Sequence, residues 1–407
     1  MAERSKQRGS ARTMVGAAAL LAAALAFATG AAAAMLAVVF ARKVVTPPTR
    51  REQDLRILSV DTVAHEITLA ANAEARMRGP YGLWFEHDSG HARLGDVIEE
   101  HDGRVRRHLT ATDFGRPERA TRGRINGWYH LGPWELDLPY EDVLIETELG
   151  PAPAWVFAPD SPSDRWVVQV HGRGAKRHET LRAVDATRAA GWNSLLISYR
   201  NDGEAPASSD RRYGLGGTEW VDVVAAVGYA IERGASEIVL MGWSMGGMIS
   251  LQAVLRSAEV RERLVGIILE SPAIDWVDIL RFQGGALGLP RGLGDVVARL
   301  LGAPYGGGLT GLAAPIDLED LDPVVRAEEF TVPILLMHSV DDGFVPIDGS
   351  RRFAASRPDL IQFEEFAEAR HTKLWNHDPE RWNALITTWL AARTPADHDD
   401  EAVEIVG

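Results

Sequence analysis

Residues 242–247 read GWSMGG and constrain this chain more than any other stretch, because they directly follow the apolar run IVLM at residues 238–241. A helix-prone segment, 248–255, comes next, so the order predicts a buried strand, a sharp turn and a helix. A serine at the tip of so tight a turn needs small neighbours, which the flanking glycines supply. The turn predicts Ser244 as a nucleophile and the N–H of Met245 as a donor to a developing oxyanion. Taken alone, the motif also fits an ordinary Gly/Ser turn after a strand.

The region around this turn alternates between short apolar runs and longer amphipathic segments. In the segment 218–233, for example, apolar residues recur every three or four positions, which is typical of a helix packed on a sheet. Predicted strands are 166–171, 194–199, 237–241, 265–269, 333–338 and 361–363, and predicted helices are 180–190, 218–233 and 379–392. Continuous apolar strands between helices predict a mostly parallel sheet covered on both faces.

A second glycine-rich turn follows the first predicted strand of this series. Residues 171–174 read HGRG, and glycines there let the backbone approach a reacting atom. The N–H of Arg173 is therefore a candidate oxyanion donor beside that of Met245. A plain glycine turn leaving a strand is the alternative.

Candidate acid and base residues follow the last two predicted strands. Residues 338–346 read HSVDDGFVP, and either Asp341 or Asp342 could orient an imidazole, although solvated aspartates in an Asx turn fit the same letters. His371 leaves the final strand and suits a general base. His377 instead looks like part of the cap region of the closing helix. Serine, acid and histidine in this chain order, each at a strand exit, form a specific combination.

These motifs resemble the α/β-hydrolase superfamily, in particular its bacterial serine aminopeptidase, prolyl-oligopeptidase-like and dienelactone-hydrolase branches. The resemblance covers about residues 151–393, and departs only where Ser339 replaces the glycine usual after the strand-end histidine. It implies an α/β-hydrolase fold with a lid over about 272–332. The register of the acid loop selects Asp342 over Asp341, so the implied triad is Ser244, Asp342 and His371.

The implied function is a serine hydrolase that cleaves a small-molecule ester through an acyl-enzyme, with backbone donors Arg173 and Met245 and with no cofactor or metal. A peptidase of the aminopeptidase type and a thioesterase use the same triad and stay open. An aminopeptidase needs a carboxylate for the substrate amine, and no motif singles one out. The rival from another class is a catalytically inactive, membrane-tethered binding protein of the same fold.

Composition excludes several other classes. A formal net charge of −14 argues against nucleic acid as a partner, because phosphate neutralisation needs a basic face. The chain has no cysteine, which excludes disulfides, thiolate metal sites and a cysteine nucleophile.

The first fifty residues predict a membrane attachment. A basic tail (1–13) precedes an uncharged, alanine-rich stretch (14–41) that as a helix would span about 40 Å, enough to cross a hydrocarbon core of about 30 Å. We expect an uncleaved signal anchor with the catalytic domain outside the cytoplasm. A cleaved signal peptide, with its site at residues 26–28, is the alternative.

The remaining boundaries follow from composition. Residues 42–56, with two adjacent prolines, predict an extended linker, and 57–150 predict a small β-rich module around Trp84, Trp128, Tyr129 and Trp134. The catalytic domain is assigned to 151–394 and an acidic tail to 395–407. The histidines and aspartates of the module at 87, 88, 91, 101 and 102 lack the paired spacing of metal ligands and fit hairpin turns better.

Overall fold

A computed structural model describes residues 30–393 of the 407-residue chain. The predicted basic tail, the predicted acidic tail and residues 14–29 of the predicted anchor lie outside the described residues. The strands within 30–393 form two units, a closed six-stranded barrel and an eight-stranded sheet.

The barrel comes first in the chain. Its strands are β1 (Leu55–Asp61), β2 (Glu66–Ala70), β3 (Tyr81–Phe85), β4 (Gly90–His101), β5 (Arg104–Phe114) and β6 (Arg122–Asn126), paired in the order β1-β2-β5-β4-β3-β6. Alternate side chains such as Ile67 and Leu69 fill its interior. Arg107 is also buried there, and its guanidinium donates to the backbone oxygens of Ala75, Gly79 and Gly95.

The sheet begins earlier than the sequence predicted. Its strands are β7 (Glu141–Thr147), β8 (Gly150–Phe157), β9 (Arg165–Val170), β10 (Asn193–Ile197), β11 (Glu237–Trp243), β12 (Leu264–Glu270), β13 (Ile334–Ser339) and β14 (Ile361–Phe366). The order is β14-β13-β12-β11-β9-β10-β8-β7, and pairing from β14 through β10 is parallel.

The predicted end of the β-rich module, at residue 150, was therefore wrong. The barrel ends at Asn126, and β7 pairs antiparallel with β8 as an edge strand of the sheet. Nor do the module's aromatic residues all pack inside it. Trp134 is 61% exposed, and Trp128 stacks on His178 of the second unit.

Helices cover both faces of the sheet, as predicted. They are α2 (Val184–Ala189), α3 (Trp220–Glu232), α4 (Met245–Arg256), α5 (Ala258–Arg263), α6 (Trp276–Ala286), α7 (Leu293–Gly302), α8 (Gly307–Thr310), α9 (Asp348–Ser356), α10 (Leu374–His377) and α11 (Pro379–Ala391). Along β11, Ile238 and Leu240 join the apolar cluster that includes α3 and α4, whereas Val239 and Met241 join the one that includes α2 and α11. Helices α6, α7 and α8 lie within the predicted lid between β12 and β13.

Residues 30–45 are helical (α1) and rest on the second unit. Ala37, Phe40, Ala41 and Val45 are buried in its core. No helix within residues 30–393 combines the length and hydropathy needed to cross a bilayer. The end of the predicted anchor thus packs against protein, and membrane attachment through 14–41 stays a prediction. The predicted linker, 42–56, was also wrong at both ends, since it starts inside α1 and overlaps β1.

Candidate active site

Ser244 sits on a strained turn between β11 and α4. Its backbone has φ 51° and ψ −117°, a conformation that side-chain-bearing residues rarely adopt. A Cβ atom added at Gly242 would lie 2.4 Å from the carbonyl oxygen of Gly246, and one at Gly246 would lie 2.1 Å from that of Val170. Only glycine fits at either position, which is the physical reason for the spacing seen in the sequence.

The turn brings Ser244 to a histidine and an aspartate that are distant in the chain. The Oγ of Ser244 lies 2.9 Å from Nε2 of His371, and Nδ1 of the same imidazole lies 2.7 Å from Oδ2 of Asp342. Because the carboxylate accepts the Nδ1 proton, Nε2 is left to accept the serine proton. The sequence-predicted serine, acid and base are therefore brought together in one hydrogen-bonded chain.

Asp342 is almost fully buried, and hydrogen-bond donors surround its carboxylate. The N–H groups of Phe344 and Val345 donate to Oδ1, each at 2.8 Å, and Nε2 of His338 lies 3.1 Å from Oδ2. Burial by itself would raise the pKa of Asp342, but the two imidazoles and their hydrogen bonds outweigh it and hold the pKa well below its usual range. The carboxylate is thus kept ionised beside His371.

The carboxylate of Asp341 has other hydrogen-bond partners than the imidazole. Its Oδ1 accepts from the hydroxyl of Ser339 at 2.6 Å and from the N–H of Arg370 at 2.9 Å. Asp341 therefore braces the turn that presents His371, and Asp342 contacts the ring. Ser339, where a glycine was expected, supplies a further donor to this brace.

The 171–174 turn lies next to Ser244. Gly172 donates its N–H to Glu179 at 2.7 Å, and the ring of Tyr199 stacks on His171 with centroids 4.2 Å apart. Within residues 30–393, the N–H groups of Arg173 and Met245 donate to no protein acceptor. Both predicted oxyanion donors are thus available to a ligand.

The side chain of Arg173 holds the end of α1. Its guanidinium donates to the carbonyl oxygens of Lys43 and Val44, in the last turn of that helix, and of Thr46 just after it. Arg51 donates in turn to the carbonyl oxygen of Gly174. Residues 43–51 are therefore part of the wall of the site, which the sequence did not predict.

A buried glutamate that contacts the side chain of Trp243, next to Ser244, was also missed. Glu270 ends β12, and its Oε2 accepts from Nε1 of Trp243 at 2.8 Å and from Nε1 of Trp382 at 2.9 Å. Burial raises the pKa of Glu270, and the nearby Arg182 opposes that shift. A charged residue at the end of an apolar strand was the available signal. The contact also gives the side chain of Trp243 a structural role.

Two cavities meet at the site. The first, of about 340 Å³, is lined by His371 and by polar residues of the barrel and of the loops that follow β9, β13 and β14. The second, of about 470 Å³, has an apolar wall made by α1 and α6, including Phe40, Ile279 and Leu280. Phe344, whose ring centroid lies 5.1 Å from that of His371, lines both cavities.

The other titratable candidates lie elsewhere. His377 ends α10, and the neighbouring Asp378 caps α11 by accepting from the N–H of Arg381. His91 of the barrel pairs with Asp113 at 2.7 Å. No group of three or more histidine and acidic side chains within residues 30–393 has the arrangement of a metal site.

Comparison with known proteins separates the two units. Residues 56–126, which cover the barrel, match a family described as a domain of unknown function (DUF8805). An esterase of Pyrococcus furiosus is similar to this chain at a TM-score of 0.51 and 19% identity, over 65% of this chain and 95% of that one. The likeness, together with the strand order and the serine turn, defines an α/β-hydrolase fold.

Two further solved structures are similar at lower scores. An acylaminoacyl peptidase of Pyrococcus horikoshii aligns with 84% of this chain and 55% of its own, at 15% identity and a TM-score of 0.49. A monoacylglycerol lipase of Paleococcus ferrophilus aligns with 60% of this chain and 99% of its own, at 22% identity and a TM-score of 0.43.

Proposed function

We propose that this protein is a serine hydrolase that cleaves carboxylic esters through an acyl-enzyme. The observation that carries the proposal is the hydrogen-bonded chain from Ser244 through His371 to Asp342, at the carboxyl ends of the parallel strands β11, β13 and β14. The strained backbone of Ser244 supports it, because backbone strain concentrates at functional sites.

The reaction follows from the hydrogen bonds. Ser244 Oγ attacks the ester carbonyl while its proton passes to Nε2 of His371, and the imidazolium is stabilised by Asp342. The N–H groups of Arg173 and Met245 stabilise the oxyanion, each contributing roughly 3 kcal/mol. The imidazolium then protonates the leaving alkoxide as the ester C–O bond breaks. Water, deprotonated by the same imidazole, hydrolyses the acyl-enzyme and regenerates the serine.

An ester substrate suits the cavities better than a peptide with a free amino terminus. Such a peptide needs an available carboxylate to bind its ammonium group. The two carboxylates that line the cavity of His371 are already engaged, Glu74 by Lys373 and Arg370, and Glu179 by the N–H of Gly172. The apolar wall beside them suits an acyl or alkyl group.

A fluorophosphonate probe and a panel of p-nitrophenyl esters and aminoacyl p-nitroanilides test the proposal. We expect covalent labelling at Ser244 and ester hydrolysis, both lost in Ser244→Ala. Ser59→Ala, an exposed serine on the barrel, is the matched control and should retain both. A folded protein that is neither labelled nor faster than Ser244→Ala would refute the enzyme proposal, and faster cleavage of the anilides would favour the peptidase.

A further inference from the structure

Two arginines stand where the two cavities join. Arg51, from the segment after α1, and Arg124, from barrel strand β6, line both the cavity of His371 and the cavity with the apolar wall. Arg51 precedes the barrel in the chain and Arg124 lies in its last strand, so residues distant in the sequence meet here. Both side chains therefore border the space that a ligand in either cavity would occupy.

Most other cations near the site have their charge or hydrogen bonds already used. Lys373 and Arg370 pair with Glu74, and Arg173 donates to the carbonyl oxygens at the end of α1. Lys43 pairs with Glu52, and Arg50 is exposed at the rim.

Arg51 makes fewer hydrogen bonds than Arg173, and Arg124 has one carboxylate partner. Arg51 donates to a neutral carbonyl, lies 5.3 Å from the ring centroid of Trp128, and forms no ion pair with a carboxylate of residues 30–393. Arg124 has a single carboxylate partner, Asp88, at 3.1 Å, and its guanidinium carbon lies 5.4 Å from the ring centroid of Trp84. Asp88 is thus the one carboxylate of residues 30–393 within ion-pair distance of either guanidinium, and Asp54 acts on Arg124 from farther away.

The pKa of Arg124 reflects the same concentration of positive charge. Burial lowers the pKa of Arg124 to about 10, and the positive charge of Arg51 acts in the same direction. Arg124 still carries its proton at neutral pH and the guanidinium of Arg51 lies beside it, so positive charge is concentrated at this point of a protein with a net charge of −14. A partly buried cluster of like charge is stabilised by an anion.

We propose that Arg51 and Arg124 form an anion-binding subsite, and that the substrate is an ester that carries a carboxylate or a similar anionic group near the scissile bond and an apolar group on the α1–α6 wall. This assignment rests on the proposed ester hydrolysis. The anionic group belongs either to the acyl part or to the alcohol part of the ester, and the experiment separates the two.

Matched ester pairs test the subsite. On the acyl side, 4-nitrophenyl hydrogen succinate is compared with 4-nitrophenyl butyrate. On the alcohol side, 4-butyryloxybenzoate is compared with its methyl ester. In the second pair, the cleavage that is measured is that of the butyrate ester bond. We expect kcat/KM to favour the anionic member of one pair. Arg124→Gln should lower kcat/KM for that ester by about 10- to 100-fold and change the neutral one by less than about threefold.

Further variants distinguish charge recognition from a general defect. Arg124→Lys should retain part of the preference, and Asp88→Asn should increase it, because the competing carboxylate is gone. Arg263→Gln is the control. Arg263 is an exposed arginine just before the amino end of β12, at the opposite end of the strands from the site, and its substitution should change kcat/KM for neither ester.

The outcomes separate this inference from the proposed function. Hydrolysis that depends on Ser244, without preference for either anionic ester, or with equal losses for both members of a pair in Arg124→Gln, would overturn the subsite and leave the esterase standing. The absence of hydrolysis of any ester would overturn both. An increase for the anionic ester in Asp88→Asn supports the subsite even if Arg124→Gln fails to fold.

Discussion

Two adjacent aspartates show how strongly single residues differ in this site. Asp342→Asn should lower kcat by about 10³- to 10⁴-fold, because an amide can neither stabilise the imidazolium nor hold the Nδ1 tautomer of His371. Asp341→Asn should change kcat by less than about fivefold, since its Oδ1 accepts the hydrogen bonds from Ser339 and Arg370 and asparagine retains that oxygen. Steady-state kinetics on 4-nitrophenyl butyrate measures both. A larger loss in Asp341→Asn would contradict the assignment.

The low pKa of Asp342 also predicts how kcat/KM changes as the pH falls. Imidazoles and N–H donors keep this carboxylate ionised far below neutral pH, so it does not take up a proton in the range where the enzyme works. As the pH falls, kcat/KM should decrease with a slope of one, because only protonation of the base removes the acceptor for the serine proton. A slope of two, measured with the protein still folded, would show a second essential protonation.

At the scale of elements, the turn between β11 and α4 depends on close backbone approaches at Gly242 and Gly246. Gly246→Ala should lower the free energy of unfolding by at least about 2 kcal/mol, because the new methyl group would meet the carbonyl oxygen of Val170 at 2.1 Å. Activity should fall with it, since the turn carries Ser244. Denaturant unfolding followed by circular dichroism measures the change.

The chain offers a matched control for this substitution. Gly285 also lies in a helix, α6, and a methyl group there would have no atom within 4 Å. Gly285→Ala should leave the stability unchanged or raise it by up to about 1 kcal/mol through helix propensity. Equal losses in the two variants would show that the close approach at Gly246 is not the cause.

At the scale of the whole molecule, the amino-terminal segment forms part of the candidate active site. Removing residues 1–52 should lower kcat/KM for a neutral ester by about 10- to 100-fold, because Arg173 loses its carbonyl partners and the oxyanion turn loses Arg51. A chain that starts at residue 30 retains these contacts and should keep kcat/KM within about twofold. Equal activity of the two truncated proteins would show that the segment does not support the turn.

No functional role was predicted for the barrel, because its contacts with the site involve residues that are distant in the chain. Its strands were expected only as a β-rich module, yet β6 places Arg124 at the cavity of His371, and Asn376 of α10 donates to the backbone oxygens of Pro80 and Gly127. The barrel thus contacts the loops around the site. No periodicity within 57–126 could have indicated which of its faces meets the second unit.

The sequence alone indicated the features that depend on residues close together in the chain, namely the periodicity of strands and helices and the chemistry of the serine turn. The apolar runs between amphipathic helices indicated the sheet, and Gly242 and Gly246 indicated the serine turn, because each depends on contacts between neighbours in the chain or on a backbone conformation that only glycine permits. The order of serine, acid and histidine at strand ends then predicted the residues that the structure brings together.

Only the tertiary structure decided which distant surfaces meet. Arg173 binds a carbonyl oxygen 129 residues away, Trp382 binds Glu270 from 112 residues away, and the predicted linker is part of the site. Such contacts satisfy buried donors and acceptors that no local pattern pairs in advance, because desolvation makes each of them find a partner wherever the packed chain supplies one. The anionic subsite, built from Arg51 and Arg124, belongs to this second kind.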